Sequence, residues 1–238
     1  FSASLSLETE DNRRSGIVSI TPGTPGGYEG RRLPDIVGAL RVDQGWGSAQ
    51  LMGALHQVSP LASNVDSEYG WAVGAGVDFN IPFGTGTSFN LQGGYTQGAL
   101  AYVAGTPTGG FVFGSPTGPS SGVSTAVDAA ITANGTLELV DAFSINGSIA
   151  TSFTPTISWV GSVGYLNVDH ADLGAGIPSG DFENWGAEGT IAYSPVSGMV
   201  FALGAQYQYV NMDSDQAVPG AFDDPQALSV FFRAQRTF

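Results

Sequence analysis

The chain contains no cysteine among its 238 residues. Disulfide bonds and metal sites built on thiolate ligands are therefore excluded. The absence is compatible with an oxidising compartment such as the periplasm, and equally with the cytosol.

Lysine is absent as well, and positive charge is scarce. Seven basic residues, all arginines, face 21 acidic residues, which gives a formal net charge of −14. A chain with this balance repels the phosphate backbone, so we expect no nucleic-acid partner. The acidic residues cluster between the segments in which apolar residues alternate with polar or small ones, which predicts that these acids lie in solvent-facing loops.

Long hydrophobic runs are missing too. No stretch of about 18 apolar residues occurs, so no membrane-spanning helix is predicted. The chain has neither an initiator Met nor a signal peptide, and we expect Phe1 to be a processed or truncated end. Only 12% of residues are charged, 11% are aromatic and 35 are glycine, a balance typical of β-barrels in lipid.

Catalytic and metal-binding motifs are also lacking. The sequence has no GxSxG, no P-loop, no dinucleotide fingerprint and no HExxH, and its two histidines, His56 and His170, are far apart. We therefore expect no enzyme activity, no catalytic residue, no cofactor and no metal.

What the sequence does contain is a repeated two-residue periodicity, clearest over residues 33–58. Ile36, Leu40 and Val42 all lie at even-numbered positions before a Gly-Trp-Gly turn, and Leu51 and Leu55 both lie at odd-numbered positions after it. Alternation of this kind predicts two strands of a hairpin, with one apolar face and one polar or small face.

The same unit recurs to the end of the chain and predicts about ten strands in one domain over residues 1–238. The predicted strands lie within 1–7, 35–58 (two strands), 71–81, 88–96, 143–153, 157–165, 185–193, 199–209 and 228–238. The connections alternate between long polar loops and short turns, as in outer-membrane barrels. Residues 8–32 and 103–135 are predicted as long loops, the second with local structure.

Side-chain volume favours the apolar face as the outward one. The polar positions are mostly Gly, Ser, Asn and Gln, which are too few and too small to coat a soluble exterior; a lipocalin-like barrel would reverse the two faces. Aromatic residues near strand ends are predicted to form the membrane girdles: Trp46, Trp71, Trp185, Tyr193 and Tyr209.

Four segments resemble the porins of alpha-proteobacteria, the Brucella and Rhizobium type. They are LPDIVGALRVDQGWGSAQLMGALHQV, the most specific of the four, with FSASLSLE, TPTISWVGSVGY and FFRAQRTF. The resemblance spans the whole chain. It implies an integral protein of the bacterial outer membrane, a homotrimer that passes small hydrophilic solutes, and a C-terminal Phe238 that presents the last strand to the barrel-assembly machinery.

The resemblance also implies a longer protein. Family members have sixteen strands, and FSASLSLE matches their interior, so we expect these ten strands to be the C-terminal part of a sixteen-stranded barrel. The alternative is that ten strands close on themselves, which would conduct poorly.

Charged residues at the predicted lumen positions are the candidates for selectivity. Arg41 and Arg233 are predicted to be the basic wall of a constriction, and the alternative is structural pairing with Asp43, Glu188 or another lumen acid. Asp78 adds either cation preference or plain polar lining. Charge on a lumen face tunes selectivity at little cost.

The predicted function is passive diffusion of ions and small polar solutes through a water-filled channel. One alternative is a plugged outer-membrane barrel whose loops bind a partner, and another is a soluble barrel that carries an apolar ligand. In the first two readings the surroundings are outer-membrane lipid and lipopolysaccharide.

Overall fold

The protein was analysed as a computed structural model that describes residues 1–30, 32–82, 84–104, 127–170, 181–212 and 226–237. Its strands, in chain order, are β1 (Ser2–Glu8), β2 (Ile17–Ser19), β3 (Asp35–Gln44), β4 (Gly47–Val58), β5 (Glu68–Ile81), β6 (Thr85–Gln97), β7 (Ala129–Ile131), β8 (Leu137–Leu139), β9 (Asp141–Thr154), β10 (Ile157–Asp169), β11 (Phe182–Tyr193), β12 (Met199–Met212) and β13 (Gln226–Arg236). Two short 3-10 helices, η1 (Glu10–Asn12) and η2 (Leu100–Tyr102), lie in the connections.

Ten strands form one antiparallel sheet in the order β1-β3-β4-β5-β6-β9-β10-β11-β12-β13. All ten predicted strands are present, and each pairs with the next large strand along the chain because short turns and folded-back loops join them. The predicted all-β class is confirmed. Closure into a barrel is not seen: the sheet is open, with β1 and β13 as its edges.

The two faces of the sheet differ as the alternation predicts. One face, here called the apolar face, exposes large hydrophobic side chains such as Leu51 (60% exposed), Val163 (64%) and Leu203 (53%). The opposite face, here called the polar face, carries Gln50, Gln92 and their register partners. A soluble protein buries its apolar face, whereas this sheet exposes it, as a barrel wall in lipid does.

The described parts of two long connections fold back onto the polar face. Here the term "cap" means the described residues of 9–34 and 98–140; it contains η1, η2 and a second sheet in the order β2-β7-β8. Ile17, Ala129 and Ile131 of the cap pack with Val58 of β4 in one buried cluster. The ten-stranded sheet is here called the wall. Leu100, Val127 and Val140 pack with Leu166 and Val168 of the wall in another cluster.

The cap was only partly predicted. Residues 8–32 were predicted as a polar loop, and the structure places η1 and β2 there. Local structure was expected within 103–135, and the structure has β7 in that range. The next cap strand, β8, lies just after it at Leu137–Leu139. Among the described residues no helix is long and apolar enough to cross a membrane.

Candidate solute path along the polar face

One continuous register row of the polar face is made entirely of polar residues and holds three carboxylates. This row, called the acidic row, crosses every strand of the large sheet except β1. It consists of Asp43, Ser48, Asp78, Asn90, Ser148, Ser162, Glu188, Gln206 and Ser229.

The neighbouring row, called the amide row, lies two residues farther from the short turns, about 7 Å along the strands. It contains long polar side chains and small residues: Arg41, Gln50, Gly76, Gln92, Asn146, Gly164, Gly186, Gln208 and Ala227. Together the two rows form a hydrophilic belt with side-chain amides, hydroxyls and carboxylates but few apolar groups.

A cavity of about 370 Å³ lies between this belt and the cap. Its walls include Arg41, Gln50 and Asp78 from the belt, and Tyr102 and Val103 from the cap. Hydrophilic groups on both rows therefore face a space that can hold water and small polar solutes.

Arg41 and Asp43 form an ion pair on this surface. The Arg41 Nη2 lies 2.8 Å from the Asp43 Oδ1, and the Arg41 Nε donates to the same oxygen at 2.9 Å. Both side chains are about half exposed. The pair is the alternative that the sequence left open for Arg41, and it neutralises one of the three carboxylates of the acidic row.

The other predicted pore residues are spread over the belt. Asp78 and Glu188 lie in the acidic row, and among the described residues neither forms an ion pair. Arg233 lies on β13 opposite Ala202, two rows nearer the short turns, and its guanidinium donates to Gln235. Arg41 and Arg233 therefore lie near opposite edges of the sheet and at different distances from the short turns. Their roles in selectivity stay predictions.

The predicted girdle residues fall at the two ends of the apolar face. Trp71 packs against Tyr95 with ring centroids 5.4 Å apart, and Trp185 against Tyr165 at 4.3 Å, in tilted arrangements; Tyr209 is the register partner of Trp185. Near the short turns, Trp46 packs on Phe79 at 5.4 Å, and Tyr193 pairs with Phe201.

The separation of the two aromatic groups fits a bilayer. On β5 Trp71 and Phe79 are eight residues apart, as are Trp185 and Tyr193 on β11. Eight residues span about 27 Å along a strand, or about 21 Å of height at a tilt of about 40°, close to the apolar band of outer-membrane barrels. The girdle role stays a prediction.

The comparison that identifies the fold family is with sequence models of protein families: the porin subfamily matches residues 1–230. The chain belongs to the porin subfamily. Comparisons with curated proteins and with solved structures gave no match. The resemblance seen in the sequence is thereby confirmed over nearly the whole chain, and the general function is that of a porin-type outer-membrane channel.

The cap of this porin approaches the wall closely where the wall has no side chain. A Cβ atom at Gly94 of β6 would lie 2.9 Å from the Val103 Cγ1. The neighbouring Ser144 hydroxyl donates to the Val103 carbonyl at 2.9 Å. Glycine at position 94 thus leaves the space that η2 and Val103 occupy above the belt.

A buried polar cluster joins the cap to the wall, and the sequence analysis missed it. The cluster contains Tyr102, Asp35, His56, Tyr28 and Asp128, of which Asp35, His56 and Asp128 are fully buried. The only available sequence signal was the even-numbered position of His56 in β4, which puts its side chain on the polar face. Its partners are tens of residues away, so no spacing motif announces them.

Burial governs the acidity of the cluster residues that lie in the cap. Desolvation raises the pKa of Asp128, against hydrogen bonds from Tyr28, Ser15 and Leu100 that favour its charged form. Desolvation, followed by the charge of Asp128, raises the pKa of Tyr28 well above its ordinary value. The Tyr102 pKa is raised by desolvation and then by its hydrogen bond to Asp35. Both phenols therefore stay protonated and act as donors.

Two other sequence predictions concern the C-terminal residue and metal binding. Phe238 lies outside the described residues. Within the described ranges no group of three or more His, Cys, Asp or Glu side chains is placed to hold a metal ion.

Proposed function

We propose that this porin is a diffusion channel whose solutes, ions and small hydrophilic molecules, move along the hydrophilic belt without any catalysed reaction. The observation that carries the proposal is the orientation of the sheet. Its exposed face is apolar and its polar face borders a cavity. This is the inverse of a soluble barrel and the arrangement that a water-filled pore in lipid requires.

The sheet must be part of a closed wall for this function. An open strand edge exposes unpaired N–H and C=O groups, each of which costs several kcal/mol in hydrocarbon. We therefore propose that β1 and β13 are both paired in the membrane. In line with the family, we propose a homotrimer surrounded by outer-membrane lipid and lipopolysaccharide, with the last strand recognised by the assembly machinery.

A plugged barrel with a surface-binding role is the second candidate. It is favoured by the cap, which covers the polar face at the long-loop end. Planar-bilayer recording separates the two: stepwise openings by the purified, folded protein support the channel, and a silent membrane supports the plugged barrel.

The charges of the belt predict a preference for cations. Asp43 is ion-paired with Arg41, whose charge also interacts with that of Asp78. Asp78 and Glu188 are the acids of the row that form no ion pair among the described residues. We expect Asp78→Asn combined with Glu188→Gln to lower the cation/anion permeability ratio by about twofold per charge. A unit charge about 8 Å from an ion in water is worth about 0.5 kcal/mol. Arg41→Ala should raise the ratio by freeing Asp43.

The measurement is the reversal potential across a bilayer under a salt gradient. Asp66→Asn serves as the control, because it removes the same charge from an exposed loop residue outside both rows. A reversal potential that is the same in wild type, Arg41→Ala and the double variant would refute the assignment of the belt as the selectivity surface.

A further inference from the structure

The buried cluster between cap and wall is a chain of hydrogen bonds in series. The Tyr102 hydroxyl donates to the Asp35 Oδ2 at 2.8 Å, and the Asp35 Oδ1 lies 2.8 Å from the His56 Nδ1. The His56 Nε2 lies 3.0 Å from the Tyr28 hydroxyl oxygen, which lies 2.7 Å from the Asp128 Oδ2. One continuous path of short contacts thus connects two carboxylates through an imidazole and a phenol.

The members of this path belong to different parts of the molecule. Asp35 and His56 lie on β3 and β4 of the wall, whereas Tyr28, Tyr102 and Asp128 come from three separate segments of the cap. Asp128 also organises the cap itself, because its carboxylate accepts the backbone N–H groups of Ser15 at 2.6 Å and Leu100 at 2.8 Å. The cluster is therefore a polar attachment between cap and wall.

Two arginines cover the cluster from the η1 side. The Arg14 guanidinium lies 4.5 Å from the centre of the Tyr28 ring, and that of Arg13 lies 4.8 Å from the Tyr102 ring. Each is paired with a nearby acid, Arg14 with Glu10 of η1 at 2.7 Å and Arg13 with Glu8 at the end of β1 at 3.4 Å. These pairs leave little positive charge to compensate both Asp35 and Asp128.

Counting hydrogens shows that the cluster needs one extra proton. The contacts Asp35–His56, His56–Tyr28 and Tyr28–Asp128 each require one hydrogen between two heavy atoms. A neutral imidazole and a neutral phenol supply only two. The third must be a captured proton, either on the imidazole or on the Asp128 carboxyl, and the Tyr28 hydroxyl can turn to serve both forms.

Loss of this proton breaks the chain at one contact. Two lone pairs would then face each other at 2.7–3.0 Å, and the fully buried site would carry a second negative charge. A buried polar group left unsatisfied weakens the structure that buries it. In this protein, the packing of the cap against the wall buries the cluster, so that packing is what is weakened.

We propose that the Asp35–His56–Tyr28–Asp128 cluster is a proton-dependent latch that holds the cap across the polar face and thereby sets the conductance of the channel. The protonated latch keeps the cap docked and the path narrow. Deprotonation releases the cap and widens the path. The effect on conductance rests on the proposed channel function, whereas the effect on docking does not.

The raised pKa of Asp128 agrees in sign with this direction. A carboxyl whose pKa is higher in the docked state binds its proton more tightly there than in the released state. Docking is therefore favoured below the raised pKa and weakens as the pH rises through it. The positive charges of Arg13 and Arg14 oppose the proton but are already paired.

The first test is made on the wild-type protein in lipid, between about pH 5 and about pH 9. After correction for intrinsic exchange, we expect amide hydrogen exchange in residues 15–28 and 127–140 to rise about tenfold with pH. The strand amides of β10 and β11 should show no such change. Single-channel conductance should rise over the same interval.

The second test uses Asp128→Asn, whose side-chain amide supplies the third hydrogen at every pH and so removes the need for the extra proton. We expect the pH dependence of both readouts to disappear, whatever the level at which the variant settles. His170→Gln is the control, because it removes the other histidine, which lies by Asp181; it should respond to pH like wild type.

Two outcomes would overturn the latch: cap exchange in wild type that does not vary with pH, or a pH response that survives in Asp128→Asn. A membrane that stays silent at every pH while cap exchange still follows pH would refute the channel function and leave the latch standing.

Discussion

Replacing Gly47 by alanine is expected to destabilise the protein by about 3 kcal/mol or more. Gly47 starts β4 directly after the turn and has a φ of +140°, which L side chains rarely adopt. Its added Cβ would also overlap the backbone carbonyl of Asp78 on β5. Backbone strain of this kind costs about 1–3 kcal/mol, and the overlap adds to it because neither strand can move without breaking the ladder.

The measurement is urea unfolding in lipid or detergent, followed by the heat-modifiable shift in gel mobility. Gly45→Ala is a matched control two residues away, since a Cβ at Gly45 meets no atom within 4 Å. We expect a change of less than about 0.5 kcal/mol there. Equal losses in the two variants would show that the turn geometry is not what makes Gly47 necessary.

A positive charge on the apolar face is expected to have the second-largest effect. Leu51 lies in the middle of β4, is 60% exposed and has Leu40 and Ala75 as register partners. In a bilayer, Leu51→Arg should cost about 2–4 kcal/mol, because a guanidinium near the midplane loses its hydration. Unfolding from phospholipid vesicles measures this difference directly.

Gln50→Arg provides the paired control on the opposite face of the same strand. We expect it to cost less than about 1 kcal/mol, since charge on a lumen face stays hydrated. It should also shift the reversal potential toward anions. A larger loss for Gln50→Arg than for Leu51→Arg would mean that the polar face is the one in lipid, and would refute the channel.

Much of the wall could be predicted from the sequence because alternation is a local property. Residues 71–81 switch between apolar and small or polar at every step, and β5 covers Glu68–Ile81. Short turns such as the one at Trp46 then force neighbouring strands together, so strand order follows from chain order. The candidate residues Arg41, Asp43, Asp78 and Glu188 were assigned to the polar face by parity alone, and the structure places them there.

The cap could not be predicted in the same way. Its strands β2, β7 and β8 have three residues each, too few for a periodicity to be visible. β2 pairs in parallel with β7, more than a hundred residues later in the chain. Such pairing joins segments far apart in the chain, and no local pattern records it.

The sequence by itself determined the strands and their two faces, because side-chain direction in a strand depends only on odd or even position. Only the tertiary structure decided the register that forms the hydrophilic belt, the packing of the cap on the polar face, and the position of His56 between Asp35 and Tyr28. Those contacts join residues from separate segments, and the free energy of burying them arises only when the segments meet.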